Sequence, residues 1–175
     1  AYYLVSPINL IVLLFKRNDI YLAISLVVAF KIILSSITCL YSLKYIFKKD
    51  NLMFVPLSLL YAFSGYTLVC YQITSWMDVV YMFPLIVVGL KKLIDEDKPI
   101  MYGVTLFLTI CFSFYLSYIM IIFIFLLAFI YIKNNVEKKD QKRAMLSIGI
   151  YTILPMLMSL FITYPALRQI FGSAR

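Results

Sequence analysis

Residues 20–43 read IYLAISLVVAFKIILSSITCLYSL, a run whose only charge is Lys31, and Lys44-Tyr45-Ile46-Phe47-Lys48-Lys49-Asp50 follows at once. A helix of that length crosses a hydrocarbon core of ~30 Å with some tilt. Basic residues in a short loop stay on the cytoplasmic side, so the lysines fix the orientation of the span. The same punctuation recurs at Lys91–Lys98 and Lys133–Arg143. These three gaps hold 11 of the 16 Lys and Arg; Lys16, Arg17, Arg168 and Arg175 account for four, and Lys31 is the remaining one. The pattern predicts an all-α integral membrane protein, a multi-pass helical bundle.

Composition points the same way. Hydrophobic residues make up 64% of the chain and charged residues 14%, whereas a soluble domain is about half apolar and about a quarter charged. The net charge of +8 does not argue for nucleic acid, because it sits in gaps between apolar spans rather than on one face. Anionic lipid headgroups are the expected partners of those loops. The absence of His removes the commonest metal ligand and the usual proton shuttle near neutral pH. Cys39, Cys70 and Cys111 lie inside apolar runs without paired spacing, so they read as small hydrophobes rather than a zinc site or disulfide framework.

Working outward from Ile20–Leu43, Ala1–Phe15 is too short, and too interrupted by Pro7 and Asn9, for a full crossing. It reads as an interfacial or re-entrant helix or the tail of an earlier loop. Leu52–Tyr71 is the second span, with Pro56 in its first turn and Ser64-Gly65 as small residues permitting close packing. The turn Gln72–Asp78 then lies outside, and Val79–Ile94, with Pro84, returns to the cytoplasm. Ile100–Ile132 has basic flanks on both sides, and one helix of that length would measure roughly 50 Å. Two helices meeting outside, with a bend around Ser113-Phe114-Tyr115, satisfy both constraints. Lys133–Arg143 reads as the longest soluble segment, and Ala144–Leu167 crosses outward with Pro155 and Pro165. The tally is six crossings with both ends outside, in a single transmembrane domain over residues 1–175. The ends, Ala1-Tyr2-Tyr3 and Gly172-Ser173-Ala174-Arg175, suggest a piece of a longer protein.

Few residues can carry chemistry. A lysine at the depth of Lys31 costs at least ~2.5–3.5 kcal/mol unless compensated. It reads either as an electropositive contact for a lipid phosphate, or as a structural lysine that pairs with a carbonyl or snorkels. Trp76 and Asp78 border the outer turn, where a ring and a carboxylate suit a sugar. The plainer reading is a membrane-belt Trp followed by an N-cap Asp. Arg168 would clamp a phosphate or anchor its helix at the headgroups. Tyr115 and Tyr118 flank the proposed bend and would line a groove. No Gly-rich phosphate loop, Ser-His-Asp set, metal motif or acid pair is visible, which leaves the catalytic residues unknown.

Tyr2-Tyr3-Leu4-Val5-Ser6-Pro7-Ile8-Asn9-Leu10 resembles a stretch of the YfhO-like bacterial membrane protein family. Matches follow in order at Phe30-Lys31-Ile32, Ala62-Phe63-Ser64-Gly65-Tyr66, Trp76-Met77-Asp78, Phe83-Pro84-Leu85-Ile86, Phe114–Met120 and Leu154-Pro155. The resemblance implies a core like that of GT-C-type glycosyltransferases in the bacterial plasma membrane. Such enzymes take a sugar from a polyprenyl-phosphate carrier and place it on an extracytoplasmic polymer such as lipoteichoic acid. It also implies an essential acid in a first outer loop, upstream of Ala1, together with a first span and a C-terminal part that this chain lacks. Ser117 stands where the family often has Gly, and Phe114 where it often has a polar residue. On this reading Lys31 and Arg168 contact the donor phosphate, while Trp76, Asp78, Tyr115 and Tyr118 border the outer groove. No cofactor is evident, although the family chemistry leaves room for a divalent ion held with the missing loop. The alternatives are a transporter or flippase of a lipid-linked precursor that breaks no bond, and a structural membrane subunit.

Overall fold

The computed structural model describes residues 6–173. Among them every regular element is helical. Among the described residues, 3-10 helices at Pro7–Leu14 and Arg17–Asp19 precede eight α-helices: α1 Ile20–Phe47, α2 Phe54–Ala62, α3 Gly65–Cys70, α4 Thr74–Glu96, α5 Ile100–Phe112, α6 Phe114–Asn135, α7 Lys138–Met158 and α8 Leu160–Ser173. Arg17–Phe47 and Phe114–Asn135 are long and apolar enough to cross a membrane, with mean hydropathies of 2.3 and 2.5. Phe54–Cys70 and Ile100–Phe112 are shorter apolar stretches. The chain divides into two compact units, one up to Val88 and one from Gly89 onward.

The first unit is built on α1 packed against α2 and the 3-10 segment. The buried stripe of α1 is Ala23, Val27, Lys31, Ser35, Thr38 and Ser42, spaced by three or four residues as one helix face requires. That stripe is small and polar, while Leu22, Leu26, Ile33 and Ile37 point outward. Water would favour the reverse arrangement; hydrocarbon favours this one, because small and hydroxyl-bearing residues pack helices closely in lipid. Ser36 and Ser58 approach to 3.4 Å between α1 and α2, and the Tyr61 hydroxyl donates to the Val80 carbonyl at 2.7 Å.

In the second unit α5 packs on α7, and α6 on both. The buried face of α6 runs through Phe114, Ser117, Ile121, Ile124, Ala128 and Ile132, and Ile122, Phe125, Leu126, Phe129 and Ile130 face out. Gly89 permits α4 to approach α5: a Cβ there would lie 2.8 Å from the backbone of Tyr102. Tyr102 and Thr152 hydroxyls meet at 2.8 Å. Thr152 gives its own proton to the Ile148 carbonyl at 2.7 Å, so Tyr102 is the donor.

The bend expected near Ser113-Phe114-Tyr115 is present, between α5 and α6. Ser113 is its corner, with φ −145° and ψ 78°. The Ser117 hydroxyl reaches back to the Thr109 and Ser113 carbonyls at 2.9 and 2.6 Å, which also accept the Ser113 and Ser117 backbone N–H groups, so the corner is tied from both sides.

Several expectations change. Ala144–Leu167 is not one continuous helix, because α7 ends at Met158 and α8 begins at Leu160, and Gln72–Asp78 is a turn only as far as Ile73, because α4 begins at Thr74. Leu52–Tyr71 is not one helix: Ser64 is extended, with ψ 156°, and separates α2 from α3. A Cβ on Gly65 would meet nothing within 4 Å, so this glycine marks a break and not a packing contact. The Lys133–Arg143 segment is mostly helical, since α6 continues to Asn135 and α7 begins at Lys138; its charged side chains stay in solvent while the backbone keeps its helical bonds. Asp78 is not an N-cap, because α4 starts four residues earlier, at Thr74. Within Ala1–Phe15, Pro7–Leu14 forms the 3-10 helix, and residues 1–5, including Tyr2–Val5, lie outside the described residues.

Candidate functional site: a buried ion pair

The first unit brings Lys31 of α1 and Asp78 of α4 together. The Lys31 ammonium lies 2.6 Å from Asp78 Oδ1, and both side chains have 0% exposure. Lys31 also donates to the Thr74 carbonyl, one turn before Asp78, at 2.8 Å. Ser6, just ahead of the 3-10 helix, donates to the same carboxylate oxygen at 3.1 Å. One cluster therefore ties three separate segments: the start of the described chain, the middle of α1 and the first turns of α4.

The pairing explains how a charge is tolerated inside an apolar helix. An isolated ion in low dielectric is very costly, and a buried partner with added hydrogen bonds offsets most of that cost. The compensation is incomplete at two atoms. An ammonium has three N–H donors, and two are used, leaving one without a partner among the described residues. On the acid, Oδ2 is buried without a hydrogen bond. The Tyr81 phenol lies within electrostatic reach of this carboxylate and of Ser6, but no well-formed bond from it reaches Oδ2. The cluster thus retains one donor and one acceptor suited to a polar group bearing an oxygen.

Of the other sequence candidates, Trp76 belongs to the first unit and Tyr115, Tyr118 and Arg168 to the second. Trp76 is half-buried in the first turn of α4, two residues before Asp78. In the second unit Tyr115 is 61% and Tyr118 40% exposed, and Tyr118 packs edge-on against Phe114 with centroids 5.1 Å apart. Arg168 is exposed on α8.

Ser6 and the Thr74 carbonyl are members of the cluster that no motif announces; Ser6 is separated from Asp78 by 72 residues. The pairing itself had one sequence signal, since Lys31 and Asp78 carry opposite charges in otherwise uncharged surroundings. A second polar cluster, also not foreseen, closes the lysine-rich end of the second unit. The Tyr131 hydroxyl donates to Asp95 at 2.8 Å and accepts from Lys91 at 2.9 Å, and Lys91 and Asp95 pair at 3.3 Å one turn apart on α4. This half-exposed arrangement is a tie between α4 and α6. Among the described residues no three His, Cys, Asp or Glu side chains are grouped to hold a metal ion.

Comparison with known proteins gives one match. The family model described as "Bacterial membrane protein YfhO" matches residues 1–175. Among curated proteins and among solved structures, nothing matches the chain.

Proposed function

Because the chain belongs to the YfhO family of bacterial membrane proteins, we propose that it is part of a glycosyltransferase-like machine of the plasma membrane. It would move a sugar from a polyprenyl-phosphate carrier to an extracytoplasmic polymer such as lipoteichoic acid. In this reading the helices make six crossings of a GT-C-like core, with the lysine-rich segments inside and Gln72–Asp78 outside. The outward-facing Ile, Leu and Phe of α1 and α6 support a hydrocarbon surrounding.

The observation that carries the proposal is the sealed Lys31–Asp78 pair with its unfilled donor and acceptor. An ionisable pair inside an apolar bundle marks a functional site by default, because the membrane makes it costly to keep. The free N–H of Lys31 takes a phosphate oxygen of the donor, and Asp78 Oδ2 accepts a sugar hydroxyl. Trp76, on the same turn as Asp78, supplies a ring for the sugar face. With both charges at 0% exposure, a ligand reaches them only when a neighbouring segment moves.

The chemistry would be displacement at the anomeric carbon. The acceptor oxygen bonds to that carbon as the bond to the phosphate oxygen breaks, and polyprenyl phosphate departs. Cationic groups stabilise the departing phosphate. The acceptor proton passes to a general base.

The test uses the full-length protein in proteoliposomes with a polyprenyl-phosphate-linked sugar and a polymer acceptor. Sugar transfer that falls at least ~100-fold in Lys31→Met, a loss of about 2.7 kcal/mol in transition-state stabilisation, supports the reading. Movement of the donor across the bilayer without turnover makes the protein a flippase and overturns it. Unchanged transfer in a folded Lys31→Met variant removes Lys31 from the mechanism.

A further inference from the structure

Three segments meet at the sealed Lys31–Asp78 pair, and one of them must move before anything reaches its unfilled donor and acceptor. Two are firmly held. The 28-residue α1 buries a stripe from Ala23 to Ser42, and the part of α4 around Asp78 buries Ser75, Met77, Val80, Tyr81 and Met82. Displacing either would break many packed contacts together, whereas segments with few buried contacts open first.

The third segment is built differently. Within residues 6–19, Ser6 alone is buried, at 1% exposure. Pro7–Leu14 packs on α1, yet none of its residues is buried. A 3-10 run of eight residues is also unusually long, because its hydrogen bonds are less well aligned than those of an α-helix. Beyond it Phe15 and Lys16 are extended, with ψ of 148° and 155°. Such a break between two short helices is where a hinge absorbs rotation. Leu13 and Leu14 are 71% and 83% exposed, beside the exposed run Lys16–Asp19. Leucines next to charges suit the boundary between headgroups and hydrocarbon. A segment lying there swings through lipid, so its opening puts little apolar surface into water.

The Ser6 hydroxyl fastens this segment by donating to Asp78 Oδ1 at 3.1 Å. A ligand hydroxyl can make the same bond to the same oxygen while Lys31 keeps its carboxylate, so the exchange leaves no charge stranded. We infer that Ser6–Leu14 is a lid over the ion pair, latched by Ser6 onto Asp78, hinged at Phe15-Lys16, and released when a ligand hydroxyl takes the place of Ser6. The identity of that ligand, a hydroxyl-rich carbohydrate, rests on the function proposed above. Ser6 acts through Asp78 and is a positioning residue.

The test places two nitroxide labels on the full-length protein in lipid nanodiscs, its other cysteines replaced. Leu13→Cys marks the lid and Leu57→Cys marks α2, both at exposed positions. Double electron–electron resonance then reads the distance between them. The parent should be mainly closed, with one dominant distance. Ser6→Ala removes a hydrogen bond to a charged group, so it should populate a second distance and raise the open-to-closed ratio at least about tenfold. Ser6→Thr keeps the hydroxyl and should restore the parental ratio. A control pair at Ile33→Cys and Leu57→Cys, exposed on α1 and α2, should hold one distance throughout. A lid distance unmoved by Ser6→Ala makes the segment a fixed strap and overturns the inference. Movement of the control pair as well makes Ser6 a residue of the fold and also overturns it. The labels report geometry without substrate, so the lid and the sugar-transfer reading fail separately. A second distance beside unchanged transfer in Lys31→Met keeps the lid and removes the pair from the chemistry. An unmoved distance beside lost transfer removes the lid alone.

Discussion

Replacing Asp78 with Leu removes the carboxylate paired with Lys31 and leaves its ammonium with the Thr74 carbonyl, 2.8 Å away. Breaking a fully buried pair by deleting one partner costs about 3–5 kcal/mol. The independent cost of an uncompensated lysine at membrane depth is ~2.5–3.5 kcal/mol. The two agree near ~3 kcal/mol. Lys31→Met should cost a similar amount, because it strands the carboxylate. Lys31→Met combined with Asp78→Leu strands neither, and hydrophobic replacement of a buried pair is often neutral, so the double variant should lie within ~1 kcal/mol of the parent. The coupling energy from the cycle is then near the sum of the single losses, about 5–6 kcal/mol. Unfolding of the full-length protein in mixed micelles, followed by far-UV circular dichroism against denaturant, measures all four corners. A double variant as unstable as the two singles added together would refute the claim that each charge exists to satisfy the other. Single variants within ~1 kcal/mol of the parent would show that solvent reaches the pair.

Other contacts give sharper local tests. Gly89→Ala forces a Cβ against the Tyr102 backbone at 2.8 Å and should destabilise by about 1–3 kcal/mol. Gly149→Ala on α7, where a Cβ meets nothing within 4 Å, should be neutral or stabilising by up to ~1 kcal/mol; the same denaturant titration reads both. Tyr102→Phe deletes the donor to Thr152 and should cost about 0.5–1.5 kcal/mol, seen as an earlier unfolding midpoint. Tyr131→Phe releases the half-exposed Lys91–Asp95 tie and should cost no more than ~1 kcal/mol, a loss that shrinks as salt is added.

The parts of the fold set by one-dimensional pattern could be read directly. The long apolar run of α1, the lysine-rich ends and the bend at Ser113 all follow from run length and charge. The interruption at Ser64 could not, because it depends on the chain turning extended at a residue whose type also serves inside membrane helices. Helical backbone through Lys133–Arg143 was equally hidden, since charge reports solvent contact and not backbone conformation. At the candidate site, the cost of Lys31 called for a partner, and Asp78 was visible as an acid in apolar surroundings. The register that joins them depends on how α1 and α4 pack. Ser6 and the Thr74 carbonyl carry no sequence signature, for a serine beside a proline and a backbone oxygen look alike everywhere.

A donor-lipid mechanism needs residues 72–78, the short loop and first turn of α4, to face out of the cell while the lysine-rich segments face in. Single cysteines at Gln72 and Lys139, both exposed, placed in a full-length background with Cys39, Cys70 and Cys111 replaced, can be probed with a membrane-impermeant maleimide. The account predicts labelling of position 72 in intact cells and of position 139 only after the membrane is opened. Position 72 reachable only from the cytosol would put the start of α4 and its Asp78 on the wrong side for an extracytoplasmic acceptor and contradict it.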